Sequence, residues 1–192
     1  PEWTAWLGQL RAKALPLSGG HGGSITGCHL KRPSNFGTHA GFARIAADLY
    51  LGDDADLAAA VAVFKGWLGD RLSYSGFKYG SDTWHPDTSK KVGINPPGSR
   101  IGSFSVDGVL PDDQRRNGGT PSNPKCANYA RGALGPALCT AELLRRTGMY
   151  TDAPTWQASA PLRAVRWLLD VCGCAFSGDD GTEGDVRIPA DI

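Results

Sequence analysis

No run of lysine or arginine interrupts this sequence, and its formal net charge is only +1, which argues against nucleic acid as the main partner. No stretch approaches the roughly 18 uninterrupted apolar residues of a membrane span, so no membrane partner is expected either. The five cysteines, Cys28, Cys126, Cys139, Cys172 and Cys174, form no paired Cys-x-x-Cys arms, and no metal centre is expected from them. Cys172-Gly173-Cys174 is too tight for a relaxed bridge between its own ends, although either cysteine can pair with a distant one. These cysteines permit an extracellular setting, and Cys139 reads as a free, buried thiol on a helix face. A signal peptide is lacking, yet the chain starts at Pro1; a processed chain or a segment of something longer is the expectation. The glycine-rich run from Ser18 to Ser24 has no strand before it and so is no dinucleotide fingerprint; no cofactor is expected, and His21 in that run reads as solvated.

What remains is an ordinary globular composition. The 192 residues are 41% hydrophobic and 20% charged, enough for one domain with a real core over residues 1–192. Glu2 to Leu15 has Trp3, Trp6, Leu7, Leu10 and Ala14 at helical spacing. A second helix runs from about Phe36 to Tyr50, with Phe36, Ala40, Ala43, Ala46 or Ala47 and Tyr50 in one apolar row and Phe42, Ile45 and Leu49 in the next. Ser34 or Asn35 serves as its N-cap and Gly52 closes it. Asp53 to Leu68 makes a third helix, buried along Leu57, Ala60, Val61, Phe64, Trp67 and Leu68. The short break at Gly52-Asp53 requires an antiparallel hairpin.

Residues 70–125 carry no helical period and are rich in Gly, Pro, Asp and Ser. A loop of that length, when ordered, is usually functional. It gathers Tyr74, Phe77, Tyr79, Trp84, His85, Arg100, Asp112, Asp113, Arg115 and Arg116, residue types that suit a sugar-binding cleft; the alternative is a solvated meander with short strands in Arg100–Val109. Helix resumes over Cys126 to Arg146, with a kink expected near Gly132–Gly135 because Pro136 removes an interior hydrogen bond. Ser159 caps a last helix with Leu162, Val165, Leu168 and Leu169 inward, and the tail from Phe176 to Ile192 carries no fold signal. Helical hairpins with one long excursion define an all-α chain.

Asn35 and His39 lie four residues apart, hence on one face of their helix near its positive end. An amide beside an imidazole there can hold a carboxylate. The competing interpretation makes Asn35 a cap and His39 a hydrogen-bonded core residue.

The run Ser34-Asn35-Phe36-Gly37-Thr38-His39-Ala40-Gly41, followed by Arg44-Ile45-Ala46-Ala47-Asp48-Leu49-Tyr50-Leu51-Gly52-Asp53, resembles secreted bacterial proteins of the alginate lyase superfamily. The likeness continues through Val63 to Arg71, Phe77-Lys78-Tyr79-Gly80, Val92 to Pro96, Asp107 to Arg116, Asn128-Tyr129, Ala141 to Arg146 and Leu162 to Leu168. It departs at Gly132, Gly135 and Pro136, and again after Asp180. The resemblance implies an incomplete (α/α) toroid, secretion, and a polysaccharide lyase acting on an acidic polysaccharide of alginate or glucuronan type.

The implied reaction is β-elimination at a uronic acid. The C5 proton is weakly acidic because the adjacent carboxylate is already negative, so such enzymes neutralise that carboxylate and stabilise the enolate-like transition state. Asn35 is then the neutraliser and His39 a neutraliser or base. Tyr129 is the first choice for proton transfer, with Tyr79 close behind. Arg115 or Arg116 grips a uronate, and Trp84 and His85 line a subsite. Two rivals are a glycoside hydrolase using Asp112 or Asp113, whose adjacency ill suits straddling a glycosidic bond, and a non-catalytic carbohydrate-binding protein on the same scaffold.

Overall fold

The structure is a computed structural model that describes residues 2–13, 23–80, 82–126 and 128–172. His21 and the tail beyond residue 172 therefore lie outside the described residues. Its elements in order are α1 (Glu2–Ala12), α2 (Ile25–Lys31), α3 (Asn35–Leu51), α4 (Asp54–Leu68), β1 (Arg100–Ile101), β2 (Phe104–Ser105), α5 (Pro111–Asn117), β3 (Gly119–Thr120), β4 (Asn123–Pro124), α6 (Asn128–Arg146) and α7 (Trp156–Arg166). A 3-10 turn (Ala153–Thr155) precedes α7 and a π-helical turn (Trp167–Val171) extends it. The strands form two minimal antiparallel hairpins, with Arg100 opposite Ser105 and Gly119 opposite Pro124. The fold is all-α in substance.

Helix α3 is the axis of the packing and lies against α2, α4 and α6. It ends as expected: Gly52 adopts a left-handed conformation (φ 68°) that closes the helix, and the Asp53 side chain accepts the Asp56 N–H to start α4. The face it buries is only in part the expected one. Phe36, Ala43 and Tyr50 are exposed, whereas Gly37, Thr38, Gly41, Arg44 and Asp48 are buried beside Ala40, Ile45 and Ala47.

Two features permit this. Gly37 and Gly41, one turn apart, let α2 approach closely. A Cβ at Gly37 would meet the Arg32 carbonyl at 1.7 Å, and one at Gly41 would meet the His29 ring at 2.7 Å. His29 is consequently buried, and desolvation, aided by the nearby Arg44 charge, pushes its pKa down to about 3. The buried charges are paired: Arg44 Nε donates to Asp56 at 2.9 Å, while Arg11 binds Asp48 and also lies 3.0 Å from Asp53 and 3.2 Å from Asp56. Helix α1, which buries none of its own residues, is pinned to α3 and α4 through Arg11.

The apolar core combines Ile45, Leu57, Val61, Phe64, Trp67 and Leu68 of α3 and α4 with Ala133, Leu134, Ala137, Ala141 and Leu144 of α6 and with Ala164, Val165, Trp167 and Leu168. Each fully buried Leu or Phe of that set contributes roughly 2–3 kcal/mol of burial free energy. Helix α6 runs unbroken from Asn128 to Arg146 with Pro136 inside. Cys139 on it is exposed, not buried as expected, and is a free thiol, as are Cys28 and Cys172; Cys126 is disulfide-bonded.

The excursion over 70–125 is ordered by the core it feeds. Trp84, Ile94, Val106, Val109 and Leu110 are almost completely buried. Asn95 ties it together: its Nδ2 donates to the Trp84 and Val106 carbonyls at 2.9 and 3.1 Å, and its carbonyl accepts from Arg163 Nη2 at 3.1 Å. Arg163 also donates to Asp107 and to the carbonyls of Gln157 and Ala158. It thereby clamps Gln157, Ala158 and Ser159, which have left-handed φ of 53°, 55° and 55°. Right-handed helix begins only beyond Ser159, the expected cap.

Candidate functional site

The site is assembled where the N-terminus of α3 meets α5 and the first turn of α6. Helix α5 begins with Pro111, whose missing N–H costs nothing at a helix start. Its acids, Asp112 and Asp113, fall in the first turn and its bases, Arg115 and Arg116, in the last, which suits the helix dipole at both ends. The spacing of three also places Asp112 under Arg115 and Asp113 under Arg116, as two side-by-side ion pairs.

The two pairs do different things. Asp112 Oδ1 accepts the Gly80 N–H at 2.9 Å and Arg115 Nε at 3.0 Å. A Cβ at Gly80 would lie 2.2 Å from the Arg115 guanidinium, so Arg115 is the anchor of the 77–80 loop. Asp113 Oδ1 instead accepts the Asn35 N–H, the first of α3, at 3.1 Å. Arg116 Nη1 donates to Asn35 Oδ1 at 2.7 Å and lies 3.5 Å from Asp113 Oδ1. Its guanidinium carbon sits 3.7 Å from the centre of the Tyr129 ring and 5.9 Å from that of Phe36, a cation–π arrangement that holds the charge over the Tyr129 ring.

His39 is exposed one turn along α3, with Nδ1 at 2.8 Å from the Asn35 carbonyl. A carbonyl only accepts, so Nδ1 carries the hydrogen and the neutral ring presents Nε2 as a bare acceptor. Tyr129 is 41% exposed and Phe36 40%, so the cluster opens to solvent. Asn35, His39, Arg116 and Tyr129, all selected on sequence grounds, thus share one surface. His39 is not the core histidine of the competing interpretation; that place belongs to His29.

Other expected site residues lie elsewhere. Trp84 is buried and packs edge-on against Trp167 with ring centres 6.1 Å apart. His85 is also buried, its Nε2 donating to the Val92 carbonyl at 3.3 Å. Both are core residues and line no subsite, because the excursion folds inward at Trp84 to complete the apolar core. Tyr79 packs edge-on to His85 and Phe77. Its hydroxyl is buried without a hydrogen-bond partner among the described residues, and desolvation, with the charge of Asp112, drives its pKa well above the usual phenol value. That phenol is poorly placed to become a base.

Asp113 has a part that its residue type alone did not announce. It is fully buried, and its second oxygen, Oδ2, has no hydrogen-bond partner among the described residues. Desolvation is the leading cause that lifts its pKa to about 7; the neighbouring Asp112 charge adds to this, and the Asn35 N–H, Arg116 and Arg115 oppose it. Among the described residues no cluster of three or more His, Cys, Asp or Glu could hold a metal ion, and no helix is long and apolar enough to cross a membrane. Comparison of the chain with protein-family models, with characterised proteins and with solved structures finds no match.

Proposed function

We propose that this cluster is the active site of a polysaccharide lyase that cleaves an acidic, uronate-containing polysaccharide of alginate or glucuronan type by β-elimination. The observation that carries the reading is the Arg116 guanidinium, bonded to Asn35 Oδ1 and lying on the Tyr129 ring, with the bare nitrogen of His39 one helical turn away. A sugar carboxylate bound by Arg116 and the Asn35 amide loses most of its charge, which lowers the barrier to forming the enolate-like transition state. His39 Nε2 then takes the C5 proton. The C5–H electron pair becomes the C4–C5 double bond, the bond from C4 to the glycosidic oxygen breaks, and the Tyr129 hydroxyl supplies the proton that oxygen needs.

Supporting features extend beyond the cluster. The α3–α4 hairpin and the α6–α7 pair fit part of an (α/α) toroid, and the disulfide at Cys126 fits a secreted protein. A glycosidase mechanism is disfavoured because Asp112 and Asp113 are both buried and each is tied to its own arginine.

The test is incubation with alginate, glucuronan and hyaluronan while ultraviolet absorbance and reducing ends are followed together. Rising absorbance with each new end is the expected result. New ends without absorbance mean hydrolysis, and binding without either means a carbohydrate-binding module; both outcomes reject the lyase.

A further inference from the structure

Asp113 poses a physical problem that the proposed reaction leaves open. It is a carboxylate sealed from solvent beneath an arginine that must remain available to a second carboxylate. Arg116 Nη1 already meets Asn35 Oδ1 at 2.7 Å and Asp113 Oδ1 at 3.5 Å, and only 23% of the Arg116 side chain is exposed. Two anions competing for one guanidinium repel each other, and the buried one cannot be relieved by water.

We infer that the site exchanges one anion for the other: when a uronate carboxylate docks on Arg116, Asp113 takes up a proton from solvent on Oδ2 and becomes neutral. The inference rests on the reading of Asn35 and Arg116 as a carboxylate site, and it adds the means by which that site is regulated. The geometry assigns the proton its place. Oδ1 accepts the Asn35 N–H and faces Arg116, whereas Oδ2 is buried and has no partner among the described residues. A neutral oxygen left unpaired costs far less than an anionic one. The charges that bear most on Asp113 are Asp112, Arg116 and Arg115, all on α5, while α3 offers the Asn35 N–H. Arg115 is held by Asp112, so Arg116 is the cation whose pairing changes on docking. The carboxyl pKa of about 7 in the unliganded protein lies where a modest loss of Arg116 attraction protonates it.

Reciprocity follows. If uronate binding favours the protonated form, the protonated form binds uronate more tightly by the same factor. Affinity therefore falls as pH rises above about 7, by up to about tenfold per pH unit for one linked proton.

The experiment is calorimetric titration with sodium glucuronate, which has no glycosidic bond at O4 to break, near pH 8 in two buffers of different ionisation heat. Uptake approaching one proton per glucuronate is expected in the wild type. Asp113→Asn, which preserves the Oδ1 acceptor and is permanently neutral, is expected to bind with no proton uptake and with pH-independent affinity. The carboxyl carbon resonance of Asp113 in the wild type, with its titration midpoint moving upward on adding glucuronate, makes the same test without a variant. Wild-type binding without proton uptake overturns the exchange, as does uptake that persists in Asp113→Asn, a midpoint that stays still, or the absence of binding at any pH. Polymer elimination is read separately by ultraviolet absorbance. Elimination without proton-linked binding rejects the exchange and keeps the lyase, and the converse rejects the lyase and keeps the exchange.

Discussion

Replacing Asp113 by Asn should make the protein more stable at alkaline pH, although the substitution removes half of a buried ion pair. The reasoning starts from a carboxyl whose ordinary pKa of 3.8 is raised to about 7 in the folded chain. A raised folded-state pKa means that the native state holds its proton more firmly than the unfolded chain does. Its contribution is fully present below pH 4 and is lost progressively as pH rises from about 4 to about 7. The gap between 3.8 and about 7, at about 1.4 kcal/mol per pH unit, amounts to roughly 4 kcal/mol, an upper bound because local relaxation lessens it. Asparagine keeps the acceptor for the Asn35 N–H and never carries the charge, so it avoids that loss. Urea unfolding of both proteins at pH 5 and pH 8.5 is the assay. Near pH 5 the variant should already lead by about 1–2 kcal/mol, and at pH 8.5 it should be more stable by about 2–4 kcal/mol. A variant clearly less stable at pH 8.5 would refute the reasoning, since it would mean that Arg116 more than repays the burial of the charge.

Arg116→Lys should lower turnover about 100-fold or more with the unfolding midpoint nearly unchanged, because a single ammonium cannot bond Asn35, cover the Tyr129 ring and grip a carboxylate with two parallel N–H groups; steady-state kinetics and urea unfolding together check this. Gly41→Ala drives a methyl into the buried His29 ring, 2.7 Å from Nε2, and should cost about 1–3 kcal/mol in urea unfolding as α2 is pushed from α3. Asn95→Leu strands the buried carbonyls of Trp84 and Val106 and should destabilise by about 2–4 kcal/mol, with faster proteolysis between residues 80 and 110 as its readout.

The helices that frame the site are legible because their signals are local. Asp53 and Gly52 mark the α3–α4 junction in the sequence and form a cap and a left-handed closure in the fold. Helix α2 was missed because its seven residues, with Gly27 and Lys31 among them, show no apolar stripe; its burial depends on the two glycines of a different helix. Helix α5 was hidden for a related reason. The residues it buries include two acids and a glutamine, so hydrophobic periodicity is silent where ion pairs and hydrogen bonds do the packing. Trp84 shows the opposite failure: an aromatic in a polar excursion reads as a sugar platform, yet it closes the core against Trp167. Asn35, His39 and Tyr129 could be chosen from the chain, but that Arg116 and not Arg115 joins them depends on which aspartate lies beneath each.

The central claim is that an imidazole, an amide, a guanidinium and a phenol on this surface break a uronate chain without adding water. The most direct measurement is mass spectrometry of the products formed in water labelled with heavy oxygen, for the wild type, His39→Ala and Tyr129→Phe. Unsaturated ends carrying no label from the wild type, and almost none of them from either folded variant, are the predicted result. Saturated non-reducing ends together with label on the new reducing ends, or wild-type rates in both variants, would contradict it.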